Sequence, residues 1–186
     1  MSRVVGGRTS ETHPLIIDTL PFHGGALGLT FCPGKKQAHA MTGAWNRDVD
    51  LDLKTVEAWG ATTIISLLEP FEYDELQVPE LPDEFAKRFR WLDLPIRDQH
   101  APDETWLAHW ATLRDGIQQE LVKGGRIMIH CKGGFGRTGT VAAMILMEGG
   151  VSREEAIRLA RQTREGAVET RRQEQFLSDY ARAIAR

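Results

Sequence analysis

The sequence predicts an α/β protein, a sheet with parallel strands covered by helices. Short apolar runs of strand length recur at 15–20, 27–31, 62–68, 89–96 and 126–130. Stretches with helical period stand between and after them, at 51–59, 105–122, 138–147, 154–164 and 171–184. Strands that alternate with helices point to parallel pairing, because a crossover must carry the chain back before the next strand starts.

Several helix ends have a local cause. Asp50 can cap the helix that opens at Leu51, and Gly60 can close it. Ser152 with Glu155, and Thr170 with Gln173, have the spacing of capping boxes. Trp106 and Trp110 stand four apart on one helix face and belong in the core. The last strand runs into a glycine-rich turn and then directly into a helix. Ligands of open α/β sheets bind at such carboxyl ends of strands.

The 186 residues fit one domain over 1–186, with 1–14 expected to be a flexible lead-in. A net charge of −3 argues against a protein whose main work is coating nucleic acid, and no nucleic-acid partner is expected. Residues 1–14 lack a basic segment followed by an apolar one, so no secretion signal is read there. The longest apolar stretch, Val141 to Met147, is too short to cross a bilayer, so no membrane partner is expected. A reducing cytoplasm is the expected compartment. Two cysteines, Cys32 and Cys131, make neither a disulfide framework nor a four-thiolate zinc site, and neither metal nor cofactor is expected. Two charge runs read as solvated faces: seven acids without a base from Glu69 to Glu84, and an arginine-rich stretch from Arg153 onward.

The chemistry lies in His130-Cys131-Lys132-Gly133-Gly134-Phe135-Gly136-Arg137-Thr138. A tight turn ahead of a helix can aim successive backbone N–H groups from Lys132 to Arg137 into one concavity, where the helix dipole also favours an anion. Gly133, Gly134 and Gly136 allow the positive φ values and close approach that such a nest needs. Arg137 returns to the same point and can hold two phosphate oxygens with its planar fork. The same field favours the thiolate of Cys131, the nucleophilic form of a cysteine. His130 would order this loop and assist the thiolate, or serve as a satisfied core residue.

These residues match the signature of the cysteine-dependent protein tyrosine phosphatase superfamily, His-Cys-x5-Arg-Ser/Thr. Beyond the loop, Leu27-Gly28-Leu29-Thr30, Cys32-Pro33-Gly34-Lys35, Val78-Pro79-Glu80-Leu81, Leu94-Pro95-Ile96-Arg97-Asp98 and Gly166-Ala167-Val168-Glu169-Thr170 resemble the kinase-associated branch of the dual-specificity phosphatases. The resemblance implies a central mixed, mostly parallel sheet of four or five strands flanked by helices, a phosphocysteine intermediate and no metal. It also implies Asp98 as general acid, Thr138 as donor to the departing thiolate and Gln173 as the residue that positions the hydrolytic water. Asp103 competes with Asp98, although it can also cap the helix near Glu104. The capping box of Gln173 competes with its water-positioning role. Cys32 is a buried thiol or, by the same resemblance, a redox partner of Cys131.

The expected substrate is a phosphorylated protein, bearing phosphotyrosine and also phosphoserine or phosphothreonine, with a kinase as a candidate partner. The alternatives are a phosphoinositide, an RNA 5′ end, or a phosphoprotein-binding module without turnover. Lys132 resembles the inositide group, but the second loop lysine of that group is missing at Phe135 and Gly136. A binding module would be expected to lose the Cys, the Arg or the acid, and all three are present.

Overall fold

The computed structural model describes residues 7–185. In chain order the elements are β1 (Asp18–Phe22), β2 (Gly25–Phe31), β3 (Lys36–Ala40), β4 (Gly43–Asn46), α1 (Val49–Trp59), β5 (Thr63–Ser66), α2 (Pro70–Glu75) and α3 (Leu81–Arg88). They continue with β6 (Arg90–Asp93), α4 (Glu104–Val122), β7 (Arg126–Cys131), α5 (Gly136–Glu148), α6 (Arg153–Thr163) and α7 (Arg171–Ile184).

Five strands form one mixed sheet in the order β1-β2-β7-β5-β6. Only β1 runs antiparallel to its neighbour; β2, β7, β5 and β6 are parallel. Parallel strands are buried on both faces, and β5 and β7 obey period two. Ile64 and Met128 pack on one face with Leu53 and Val56 of α1, Tyr73 of α2 and Phe85 of α3. Ile65, Ile127 and Ile129 pack on the other with Trp110, Ile117, Leu146 and Leu177. Trp106 and Trp110 stack at 5.2 Å within that second layer, as expected for core residues.

Helix starts follow short polar side chains. Asp48, not Asp50, caps α1 by accepting from Leu51 N at 2.9 Å, and Gly60 closes it with φ 87°. The chain enters the helix two residues earlier than the apolar pattern shows. Thr170 and Gln173 form the expected capping box, and Ser152 accepts from Glu155 N.

Four elements were not legible. The β3–β4 hairpin is half-exposed and follows no alternation, while α2 and α3 are short and begin with proline near their first positions. The segment before β1 also differs from expectation. From residue 7 it is packed rather than loose: Arg8 pairs with Trp45, and the Ser10 hydroxyl bonds the backbone of Asp48. Residues 1–6 of the expected lead-in lie outside the described residues.

Candidate active site

β7 lies at the centre of the sheet, so its C-terminal end is enclosed by β2 and β5. Phe31 pairs with Cys131, and Ser66 with His130. The chain leaves β7 at Cys131, turns through Lys132 to Phe135, and enters α5 at Gly136. Gly134 has φ 76°, and a Cβ there would lie 2.4 Å from the Thr30 carbonyl oxygen, so glycine is required. Its N–H donates to Cys131 Sγ at 3.2 Å. Cys131 is 3% exposed, at the floor of the turn.

Arg137, in the first turn of α5, is 1% exposed. Its Nη1 donates to Glu72 Oε2 at 2.6 Å and its Nη2 to Glu72 Oε1 at 2.9 Å, a two-pronged pair. Nη1 also donates to the Ile96 carbonyl at 3.0 Å. Burial works against the charge of this guanidinium. Glu72 outweighs it, with Cys131 and Asp98 adding, and the group stays firmly protonated. Its Nε, like the Thr138 hydroxyl, is buried without a hydrogen-bond partner among the described residues.

Asp98 follows β6 on a loop, with its side chain 53% exposed and Oδ1 3.1 Å from Arg137 Nη2. Asp103 instead caps α4, accepting from Trp106 N at 2.8 Å. Of the two aspartates, only Asp98 is placed against the loop arginine.

Gln173 is fully buried beside Gly136, where a Cβ on the glycine would meet its amide at 2.8 Å. Its Oε1 accepts from Glu169 N and Thr170 N, and its Nε2 donates to the His100 carbonyl at 3.1 Å. The amide thus ties the start of α7 to the Asp98 loop.

His130 is fully buried. The Trp91 indole donates to Ser66 Oγ at 2.9 Å, leaving the Ser66 hydroxyl hydrogen for His130 Nε2 at 2.7 Å. The Cys131 carbonyl, 3.4 Å from Nδ1, can only accept, which assigns the neutral ring's proton to Nδ1 and leaves Nε2 to accept from Ser66. Burial pushes its pKa down to about 3, with Arg137 adding, so the ring is neutral near pH 7. His130 therefore braces the strand end through neutral hydrogen bonds and brings no positive charge to Cys131.

Lys132 reaches outward to Glu75 at 3.5 Å rather than into the turn, while its carbonyl accepts from Lys35 Nζ at 3.2 Å. The Gly133 carbonyl accepts from Arg164 Nη2 at 3.0 Å, and the Arg164 guanidinium also lies over the Phe135 ring at 4.7 Å. Cys32 is buried as a free thiol, and burial pushes its pKa well up. Glu72, Lys35 and Arg164 are the site neighbours that sequence reasoning missed. Glu72 and Arg164 stood in the two runs read as solvated faces.

A strand–turn–helix with a thiol and a guanidinium at its floor, on this sheet order, has the form of the tyrosine and dual-specificity phosphatases. The chain matches the family described as Swiss Army Knife protein, DSP-PTPase phosphatase domain, over residues 41–177, and it belongs to that family. It is 27% identical over 183 residues to cyclin-dependent kinase inhibitor 3 of Sus scrofa, covering 94% of this chain and 82% of that one. It is also 27% identical over 132 residues to protein tyrosine phosphatase type IVA 3 of Homo sapiens, covering 68% of each. Among solved structures it resembles kinase-associated phosphatase bearing a serine in place of its catalytic-site cysteine. That match has a TM-score of 0.80 and 27% identity, over 92% of this chain and 97% of that one. The protein is thus a phosphatase of the dual-specificity and tyrosine class. No helix among the described residues is long and apolar enough to cross a membrane.

Proposed function

We propose that the chain is one domain that hydrolyses phosphotyrosine, and phosphoserine or phosphothreonine, on protein substrates through a phosphocysteine on Cys131. The observation that carries this reading is the convergence of the Cys131 thiol, the Gly134 N–H and the Arg137–Glu72 pair on one turn, with Asp98 on the same guanidinium. Cys131 Sγ attacks phosphorus in line as the P–O bond to the substrate breaks. Asp98 donates its proton to the departing oxygen, for which a general acid is worth about 10²–10⁴-fold. The loop amides from Lys132 to Gly136 and the Arg137 guanidinium hold the phosphoryl oxygens. Water then attacks the phosphocysteine, Asp98 takes back a proton, and Thr138 supports the leaving thiolate. Gln173 is assigned to holding the Asp98 loop, on the strength of its bond to the His100 carbonyl.

Likeness to cyclin-dependent kinase inhibitor 3 and to kinase-associated phosphatase supports a phosphorylated kinase as substrate or partner. A reducing compartment such as the cytoplasm would keep the Cys131 thiol active.

Hydrolysis of an aryl phosphate, in reducing buffer with chelator, tests the reading. Cys131→Ser abolishes turnover, and Asp98→Ala slows poor leaving groups far more than good ones. Activity that survives Cys131→Ser would sink it.

A further inference from the structure

Lys35 is a buried titratable group that the reaction above does not use. It follows the Pro33-Gly34 turn after β2 and is 2% exposed. The turn is tightly anchored: Gly34 N donates to Asp52 Oδ2 at 2.8 Å, and Asp52 is itself held by Arg47 in a two-pronged buried pair. With φ 72°, and Val49 2.3 Å from where a Cβ would stand, Gly34 leaves that turn no other residue. The Lys35 ammonium is directed over the Phe31 ring at 4.6 Å and onto the Lys132 carbonyl at 3.2 Å, one residue past Cys131. It also lines a 160 Å³ cavity shared with Asp98, Lys132, Gly133 and Phe135.

No carboxylate among the described residues forms an ion pair with this ammonium. The charged and titratable groups facing it are Cys32 after β2, Cys131 from β7, Arg164 after α6 and Arg47 after β4, with Asp98, Lys132 and Glu169 around the shared cavity. Burial pulls its pKa down to about 8. The two thiols oppose that shift, and the two arginines add to it. A buried ammonium without a counter-ion is costly. Cys32 is held as a neutral thiol by its burial. The hydrogen-bond acceptor of Lys35 among the described residues is the Lys132 carbonyl, one residue past Cys131.

We infer that Lys35 is a positioning residue for the phosphatase reaction, holding the Cys131 turn through the Lys132 carbonyl and favouring the thiolate through its positive charge. This rests on Cys131 being the nucleophile.

The test is the pH dependence of iodoacetamide alkylation at Cys131, read by mass spectrometry of its peptide, alongside the acid limb of kcat/KM. Lys35→Met removes charge and donor, Lys35→Gln keeps a donor, and Lys35→Arg keeps the charge. In Lys35→Met and Lys35→Gln both profiles move together to higher pH by about 0.5–1 unit, and alkylation at about pH 6 slows three- to tenfold. Lys35→Arg retains the wild-type midpoint. Melting temperatures show that the variants fold, and if Lys35→Met does not, Lys35→Gln carries the comparison. Unshifted midpoints in folded Lys35→Met or Lys35→Gln protein overturn the inference, since a purely structural lysine changes only stability. Turnover surviving in Cys131→Ser would instead strike the nucleophile assignment and leave the alkylation shift as measured.

Discussion

Glu72 gives both carboxylate oxygens to Arg137, while Leu67 and Ile96 supply carbonyl oxygens to the same guanidinium. The arginine is therefore fixed before any phosphate arrives, and little ordering remains to be done on binding. Nothing in the spacing of Glu69 to Glu84 shows that one of its seven acids turns inward. Glu72 does so because Pro70 starts a short helix whose third residue faces the sheet end, and its Oε2 also accepts from Glu69 N. Removing one partner of such a buried pair costs about 3–5 kcal/mol. Glu72→Gln keeps the shape and loses the charge. It is expected to lower the melting temperature and to cut kcat/KM by about 10–100-fold, a loss of about 1.4–2.7 kcal/mol of transition-state stabilisation. Aryl phosphate kinetics with thermal unfolding check this, and full activity in Glu72→Gln would show that Arg137 needs no such brace.

At the scale of elements, β7, the turn and α5 were legible because strong local signals agree there: a continuous apolar run, three glycines and a helix behind them. The β3–β4 hairpin was not, since its half-exposed residues carry no period-two pattern and only long-range packing against Arg8 and Phe31 fixes it. The start of α7 was legible as a cap but not as a clamp. The cap is a spacing of three in the sequence, whereas the bonds from Thr170 to Gln99 O and from Gln173 to His100 O span about seventy residues. These bonds set where the Asp98 loop rests over Arg137. Gln173→Ala should cost about 1–3 kcal/mol, because it leaves the Glu169 and Thr170 N–H groups without their acceptor. It should also slow poor leaving groups more than good ones, because the acid loop loses an anchor while the thiol and Arg137 keep theirs. A dependence on leaving group equal to wild type, in a variant of reduced stability, would leave Gln173 as a cap alone.

For the whole molecule, the buried polar groups set an acid limit to folding. His130 has a pKa near 3 in the folded protein, against about 6.5 in an unfolded chain. Between those values the unfolded state binds the extra proton, so stability falls as pH drops from about 6.5 towards 3. At about pH 5 this single group costs roughly 2 kcal/mol, at about 1.36 kcal/mol per unit. Glu148 works in the opposite sense: burial outweighs its bonds from Trp110 and Tyr180 and raises its pKa, so its contribution is present below the unfolded value and fades as pH rises. The two sit in opposite layers of the fold, His130 at the β7 end and Glu148 where α5, α4 and α7 meet, so their effects should add. Melting temperature measured across this range should therefore fall on acidification below about pH 6.5, less steeply while folded Glu148 takes up its proton ahead of the unfolded chain, and more steeply again below the unfolded carboxyl's value of about 4.3. His130→Gln lowers stability near neutrality but flattens the slope between about pH 4 and 6.5. An unchanged slope in that variant would place the acid limit elsewhere than in the imidazole behind Cys131.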